Sequence, residues 1–135
     1  ECKDYIESNG LKERVKLFGK IDQADIATLM NKSKVLVLAS SYEGLPRVLI
    51  EAGLCSLPSL APNIDGIAAP FGKDGGTALY NLDNNYEFLT NLQKFYNDDN
   101  YYSELTIKAY ELSNKLSGKD TFSENWRELI DRVMK

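Results

Sequence analysis

Residues 35–39, Val-Leu-Val-Leu-Ala, constrain the fold of this chain more than any other segment. They form an unbroken apolar run between Lys34 and Ser40. Such a run is typical of a strand buried on both faces, as in a parallel sheet covered by helices. The segment therefore predicts a layered α/β fold.

Strand and helix patterns alternate around this run as far as residue 82. Strands are predicted over 15–19, 35–39, 57–61 and 77–82, helices over 3–12, 22–32 and 46–55, and turns over 63–66 and 72–76. From residue 84 the pattern is helical, over 86–96, 101–116 and 121–134. The order predicts one domain, 1–135, in which a Rossmann-like parallel sheet with right-handed crossovers and flanking helices (1–82) precedes a helical C-terminal tail (83–135).

Composition excludes several classes of site. The chain has no histidine, which removes Ser-His-Asp and Cys-His triads, a histidine general base and the commonest metal ligand. Its net charge of −4 argues against a nucleic-acid binder, because such proteins normally carry a basic face. No apolar stretch is long enough to cross a membrane.

The two cysteines, Cys2 and Cys55, lack the spacing of a zinc ribbon or a disulfide framework. They favour a reducing, cytoplasmic location. Cys55 lies in an apolar helical segment, which predicts a small buried hydrophobe and not a reactive thiol. Because the first residue is Glu1 and not Met, we expect the chain to be a fragment, a processed form or a trimmed stretch of a longer protein.

Glu43 and Glu51 are the candidate site residues. Glu43 follows the 35–39 strand in a glycine-containing loop, and Glu51 lies about one and a half turns into the next helix. In an open parallel sheet, ligands bind at such loops, and a helix N-terminus there suits a diphosphate. Two interpretations stay open: the carboxylates bind a sugar and a vicinal diol, or Glu43 is an ordinary loop residue and Glu51 pairs with Arg47.

The pair and its surroundings resemble the E-x7-E signature of the large retaining glycosyltransferase family with the two-domain GT-B fold. Gly44 follows the first glutamate and Ala52 the second, and the order of strands over about residues 1 to 130 agrees. The resemblance implies that Glu43 approaches the donor hexose as the catalytic residue and that Glu51 binds the ribose. It also implies further donor-binding positions, namely the backbones of Gly44, Leu45, Arg47 and Val48 along the sugar and diphosphate, and the loop with Lys20 and Ile21 near the base.

The sequence also departs from the family pattern. The turn over residues 64–69 contains Gly66 but lacks the family's Gly-Gly pair, and Ala69 stands where a glutamate is common. Ser56 replaces the usual glycine before Leu57 and Pro58. The strands that carry the family's diphosphate-binding Arg and Lys, and its N-terminal acceptor domain, have no counterpart in these residues.

The resemblance implies a fragment of an enzyme that transfers a hexosyl group from an NDP-sugar to an acceptor hydroxyl with retention, in polysaccharide, glycoprotein or glycolipid assembly. It implies no cofactor and no metal, and it implies partnership with the missing N-terminal domain. We expect the isolated chain to be inactive, and peripheral membrane association of the parent enzyme is compatible with the sequence. The alternatives are a non-catalytic nucleotide-sugar-binding or regulatory module and a GT-B sugar epimerase.

Three other features have simpler interpretations. Asp83, Asp98 and Asp99 lack convergent spacing and are predicted to be turn and helix-cap residues, not a divalent-cation site. The glycine-rich segment 72–76 lacks the Lys-Ser/Thr ending of a P-loop and is predicted to be a turn. Trp126 is predicted to be a docking anchor on the last helix.

Overall fold

The computed structural model describes residues 1–72 and 74–118. The helices are α1 (Cys2–Ser8), α2 (Gln23–Lys32), α3 (Arg47–Leu54), α4 (Asp65–Phe71), α5 (Asn85–Asn97) and α6 (Asp99–Ser117). The strands are β1 (Leu36–Val37), β2 (Ser59–Pro62) and β3 (Thr77–Tyr80), paired in parallel in the order β1-β2-β3. The predicted Rossmann-like parallel sheet with flanking helices is therefore confirmed.

The central strand β2 separates two apolar cores. Successive residues of a strand point to opposite faces, and all four residues of β2 are buried. Leu60 packs on one face with residues of β3, α5 and α6, whereas Ala61 packs on the other with residues of α3 and α4. The first core contains Leu60, Ala78, Tyr80, Phe95 and Leu105, and the second contains Leu49, Ala61, Ile67 and Phe71.

The 35–39 run forms a strand, but a shorter and more exposed one than expected. β1 comprises only Leu36 and Val37, and Val37 is 41% exposed. The prediction of burial on both faces is wrong here: Leu36 packs against the core that contains Leu49 and Ala61, whereas Val37 points to the opposite face and is exposed there. β1 is also the edge strand of the described sheet, with only one neighbour.

The predicted strand over 15–19 is not formed within the described residues. Val15, Leu17 and Phe18 are all exposed. A strand requires hydrogen bonds from a neighbouring strand, and β1 bonds only to β2 in the part of the chain that the structure describes. The preceding helix α1 ends at Ser8, before the predicted end at residue 12, and Gly10 has a φ of +65° just beyond it.

Helices α3 and α4 differ in how well the sequence predicted them. Helix α3 begins at Arg47, one residue after the predicted start, with Pro46 as its N-cap and with Leu49 and Ala52 buried. Helix α4 was missed, because Gly66 and Pro70 are poor helix formers and the segment reads as a turn. Its buried Ile67 holds the helix against the sheet.

The N-caps of α2 and α6 are both aspartates, and the cap role predicted for Asp98 is confirmed. The Asp22 carboxylate accepts a hydrogen bond from the Asp25 N–H at 2.9 Å, and Asp98 accepts one from the Tyr101 N–H at 2.9 Å. The predicted helix over 121–134, with Trp126, lies outside the described residues. Among the helices that the structure describes, none is both long and apolar enough to cross a membrane.

Candidate functional site

The candidate site lies at the carboxyl ends of the parallel strands. Leu38, which leads out of β1, donates its N–H to the Leu60 carbonyl at 3.0 Å and accepts the Tyr80 hydroxyl at 3.1 Å. Asn63, which follows β2, donates its N–H to the Tyr80 carbonyl at 2.8 Å. Tyr80 therefore ties together the ends of all three strands, and burial raises the pKa of its hydroxyl.

The loop over residues 40–46 leaves this edge and carries Glu43. Glu43 is half-buried, whereas Tyr42, Gly44 and Leu45 are exposed. The loop ends at Pro46, which is buried and begins α3 without a side-chain cap. Because no side chain caps this helix, the backbone N–H groups of its first turn, here those of Arg47 and Val48, point out of the helix toward the 40–46 loop.

Gly66, in the first turn of α4, lies against the backbone of Glu43 and Gly44. A Cβ atom built on Gly66 would collide with the Glu43 carbonyl oxygen and would lie 2.5 Å from the Gly44 carbonyl oxygen. The loop backbone and the α4 backbone are therefore in contact without any intervening side chain. The sequence alone gave Gly66 no predicted role, although it is the only glycine in residues 64–69.

Glu51 lies in a different part of the site from Glu43, on the side of α3 that faces α2. It lines a cavity of about 350 Å³ with Gln23, Arg47, Ile50, Leu54, Leu116 and Ser117. It also lines a smaller cavity of about 170 Å³, between α2 and α3, that contains Gln23, Met30 and Cys55. Cys55 is half-buried and packs against the Met30, Ala52 and Leu57 cluster, where the sequence predicted full burial.

The remaining predicted positions are distributed around these two regions. Lys20 is exposed and lines neither cavity that contains Glu51. Ile21 lines a separate cavity, with Phe18 and residues on the opposite side of α2. The side chain of Val48 packs toward the core beside Met30, so that only its backbone can face a ligand.

Gln23 is a residue that the sequence reasoning missed. It follows the cap residue Asp22, and its side chain lines both cavities that contain Glu51. Its amide can donate and accept hydrogen bonds. The only sequence signal was its place at the start of α2, next to the loop already assigned to the base.

The simpler interpretation of Glu51 required an ion pair with Arg47. These two side chains do not form one: the ion pairs between described residues join the amino group of residue 1 to Asp4, Lys12 to Glu7 and Lys108 to Glu104. Within residues 1–72 and 74–118, no group of three or more His, Cys, Asp or Glu side chains could hold a metal ion.

The sequence profile of glycosyl transferases group 1 matches residues 1–112. The chain belongs to this family. Among its relatives is an α-1,4-N-acetyl-D-galactosaminyltransferase of Campylobacter jejuni, which acts on a GalNAc-α-(1→4)-GalNAc-α-(1→3)-diNAcBac-PP-undecaprenol substrate according to its name. It is 29% identical over 140 residues, which cover 98% of this chain and 36% of that protein.

One further relative and two solved structures are also similar to this chain. The Vi polysaccharide biosynthesis protein VipC/TviE of Salmonella typhi is 35% identical over 71 residues, 53% of this chain and 12% of that protein. Sucrose-phosphate synthase from Thermosynechococcus elongatus superposes with a TM-score of 0.82 at 20% identity, over 98% of this chain and 33% of its own. TarM superposes with a TM-score of 0.73 at 23% identity, over 95% of this chain and 26% of the TarM chain. At these identities the two structures show the fold alone.

Proposed function

We propose that this glycosyl transferases group 1 chain forms one wall of the donor site of an enzyme that transfers a hexosyl group from an NDP-sugar to an acceptor hydroxyl. The product would belong to polysaccharide, glycoprotein or glycolipid assembly. The single observation that carries the proposal is the placement of Glu43 and Glu51 on either side of the uncapped start of α3, at the carboxyl ends of the parallel strands.

Each part of this wall has a chemical task. The N–H groups of Arg47 and Val48 and the partial positive charge of the α3 N-terminus stabilise the diphosphate and the charge that it gains as it leaves. Gly44 and Leu45 extend this backbone surface along the sugar. The Glu43 carboxylate accepts hydrogen bonds from hexose hydroxyls beside the anomeric carbon, so that it orients the reacting ring.

In this proposal, Glu51 binds the ribose of the nucleotide. Its carboxylate lines the 350 Å³ cavity, which is large enough for a nucleoside portion and which Gln23 borders from the other side. A vicinal diol offers two hydroxyl donors, and a carboxylate accepts both through charge-assisted bonds. Gln23 contributes polar contacts at the same cavity, whereas Lys20 and Ile21 remain proposed for the base.

The reaction follows from this arrangement. The acceptor oxygen forms a bond to the anomeric carbon, the bond from that carbon to the diphosphate oxygen breaks, and the NDP leaves with the electron pair. The proton of the acceptor hydroxyl passes to the departing diphosphate oxygen. We infer retention, so the new bond lies on the same face as the old one. We also infer that the helix N-terminus and basic side chains neutralise the diphosphate without a metal; transfer in the presence of EDTA at the rate seen with Mg²⁺ is the expected result.

The assignment of Glu51 is tested by calorimetric titration of the full-length protein that contains this chain with UDP, GDP and their hexoses. Glu51→Ala should weaken nucleotide affinity about 10- to 100-fold, because a buried diol loses its charged acceptor. Glu111→Ala, an exposed position on α6, is the matched control and should leave the affinity unchanged. Unaltered affinity of Glu51→Ala would rule out the ribose assignment.

The same protein separates transfer from binding alone. Glu43→Gln should retain nucleotide binding and lose most of the transfer of hexose to an acceptor, measured by release of NDP. If the wild-type protein binds an NDP-hexose but releases no NDP with any acceptor, a non-catalytic binding module is the better description. We expect residues 1–135 alone to release none, because they cover about a third of the length of the Campylobacter relative.

A further inference from the structure

Gly66 is the point at which two separate elements of the site meet backbone to backbone. A Cβ on this residue would collide with the Glu43 carbonyl oxygen, and would lie 2.5 Å from the Gly44 carbonyl oxygen and 2.7 Å from the Glu43 carbonyl carbon. All three partners are main-chain atoms. No change of rotamer can therefore make room for a side chain at position 66.

Helix α4 cannot move away to relieve such a collision. Its Ile67 is completely buried and its Phe71 is 2% exposed, both in the core shared with Leu49 and Ala61. Displacing the helix would open a void in that core, and interior packing leaves little room for such shifts. The helix is the fixed partner of the contact.

The 40–46 loop is the partner that can move. Tyr42 is 86% exposed and Leu45 is 55% exposed, so neither side chain holds the loop in place. A Cβ on Gly44 would meet no atom within 4 Å, which shows open space on that side of the loop. A side chain at position 66 would therefore shift Glu43 and Gly44 outward.

From this geometry we propose that Gly66 is a positioning residue for the donor site. Because Gly66 has no side chain, the α4 backbone contacts the 40–46 loop directly, and this contact fixes the position of the Glu43 carboxylate. The proposal rests on the proposed function for Glu43. A displacement of about 1 Å of a group that orients the reacting atoms can lower a rate about 100-fold. Because Glu51 lines the 350 Å³ cavity and is not part of the loop, its contact with the nucleotide should be unaffected.

The test compares Gly66→Ala with the wild type in the full-length protein, using the UDP- or GDP-hexose that binds best in the titration. The variant should lower kcat about 10- to 100-fold, while the Kd for the free nucleoside diphosphate changes less than about twofold. Alanine normally stabilises a helix relative to glycine, so a lowered Tm would report the collision directly. An unchanged kcat, or an equal loss of NDP affinity, would overturn the proposal.

Gly75→Ala is the matched control. A Cβ on Gly75 would lie 2.5 Å from the Phe71 Cα and 2.6 Å from its carbonyl oxygen, a collision at the opposite end of α4 and away from the loop. This variant should lower the Tm and leave kcat within about twofold of wild type. If Gly75→Ala lowers kcat as much as Gly66→Ala does, the effect belongs to loss of stability and the proposal is wrong.

The double variant shows whether Gly66 acts through Glu43. If it does, adding Gly66→Ala to Glu43→Gln should lower kcat by no more than about a further twofold, because the group being positioned is already altered. A Glu43→Gln variant with wild-type kcat would overturn the proposed function itself, and the role of Gly66 with it. Reduced activity of Glu43→Gln with normal activity of Gly66→Ala would overturn the Gly66 proposal alone, as would failure of Gly66→Ala to fold.

Discussion

Tyr80 is the residue through which the sheet supports the loop that carries Glu43. Its hydroxyl donates to the Leu38 carbonyl at 3.1 Å, across the carboxyl end of β2, and its side chain is only 6% exposed. Leu38 is the last backbone group held by the sheet before the loop begins. Tyr80→Phe should cost about 1 kcal/mol of unfolding free energy, because a buried hydrogen bond is lost without loss of the ring.

The tyrosines predict how stability depends on pH. Burial raises the pKa of Tyr80, and burial together with the nearby Glu104 and Asp98 carboxylates raises the pKa of Tyr101. In the unfolded chain a tyrosine ionises near pH 10. Since the folded pKa is higher, the stabilisation from these residues is complete below about pH 10 and is lost as the pH rises through the folded pKa.

Urea unfolding between pH 8 and pH 11 measures this dependence. The unfolding free energy of the wild type should fall above about pH 10, and the fall should be shallower in the double variant Tyr80→Phe/Tyr101→Phe. Tyr86→Phe is the control, because Tyr86 is 82% exposed and should leave the slope as it is. A double variant with the wild-type slope would show that other groups cause the loss.

At the scale of elements, the start of α2 depends on one carboxylate. Asp22 accepts the Asp25 N–H at 2.9 Å and so satisfies a backbone donor that the helix itself cannot pair. Asp22→Ala should lower the unfolding free energy by about 1 kcal/mol, whereas Asp22→Asn, which caps equally well, should change it by only a few tenths. Urea titrations of the two variants decide this; equal losses would mean that charge, not capping, stabilises α2.

The crossing of α3 and α6 depends on a glycine. A Cβ on Gly53 would collide with the Ser113 hydroxyl and lie 2.5 Å from the Ala109 carbonyl oxygen of α6. Gly53→Ala should therefore destabilise the protein by about 1–3 kcal/mol, the usual cost of overpacking. Gly44→Ala is the control on the open loop and should stay within about 0.5 kcal/mol of wild type. A Gly53→Ala variant as stable as wild type would show that the two helices can separate without cost.

These elements also show what the sequence could predict. The cap at Asp98 depends on a residue three positions away, so local sequence was sufficient to predict it. The strand expected over 15–19 depends on pairing with another strand, which no local pattern reports, and that prediction was wrong. Motif spacing brought out Glu43 and Glu51, but the contact of Gly66 with the Glu43 loop and the place of Gln23 beside Glu51 depend on distances between elements far apart in sequence.

At the scale of the whole molecule, most buried apolar side chains lie in the two cores around β2, and a smaller cluster contains Met30, Ala52 and Leu57. Phe95 and Leu60 are almost completely buried in one of the two cores, and Phe71 and Ile67 in the other. The N-terminal segment is different, because α1 buries none of its residues and Val15, Leu17 and Phe18 are exposed. Apolar side chains of this segment, among them Tyr5, Ile6 and Leu11, line a cavity of about 410 Å³. No residue of either core lines that cavity.

Removal of residues 1–18 from the 135-residue chain should therefore change its unfolding free energy by less than about 1 kcal/mol, because little apolar area leaves water there on folding. Urea unfolding followed by circular dichroism measures this, with Phe95→Ala as the contrasting variant at an expected cost of about 3–5 kcal/mol. The denaturant slope should fall only slightly, since it follows the surface exposed on unfolding. A truncated chain that loses as much as Phe95→Ala would show that α1 and the segment after it belong to the cooperative core, and the predicted strand over 15–19 would then have to be reconsidered.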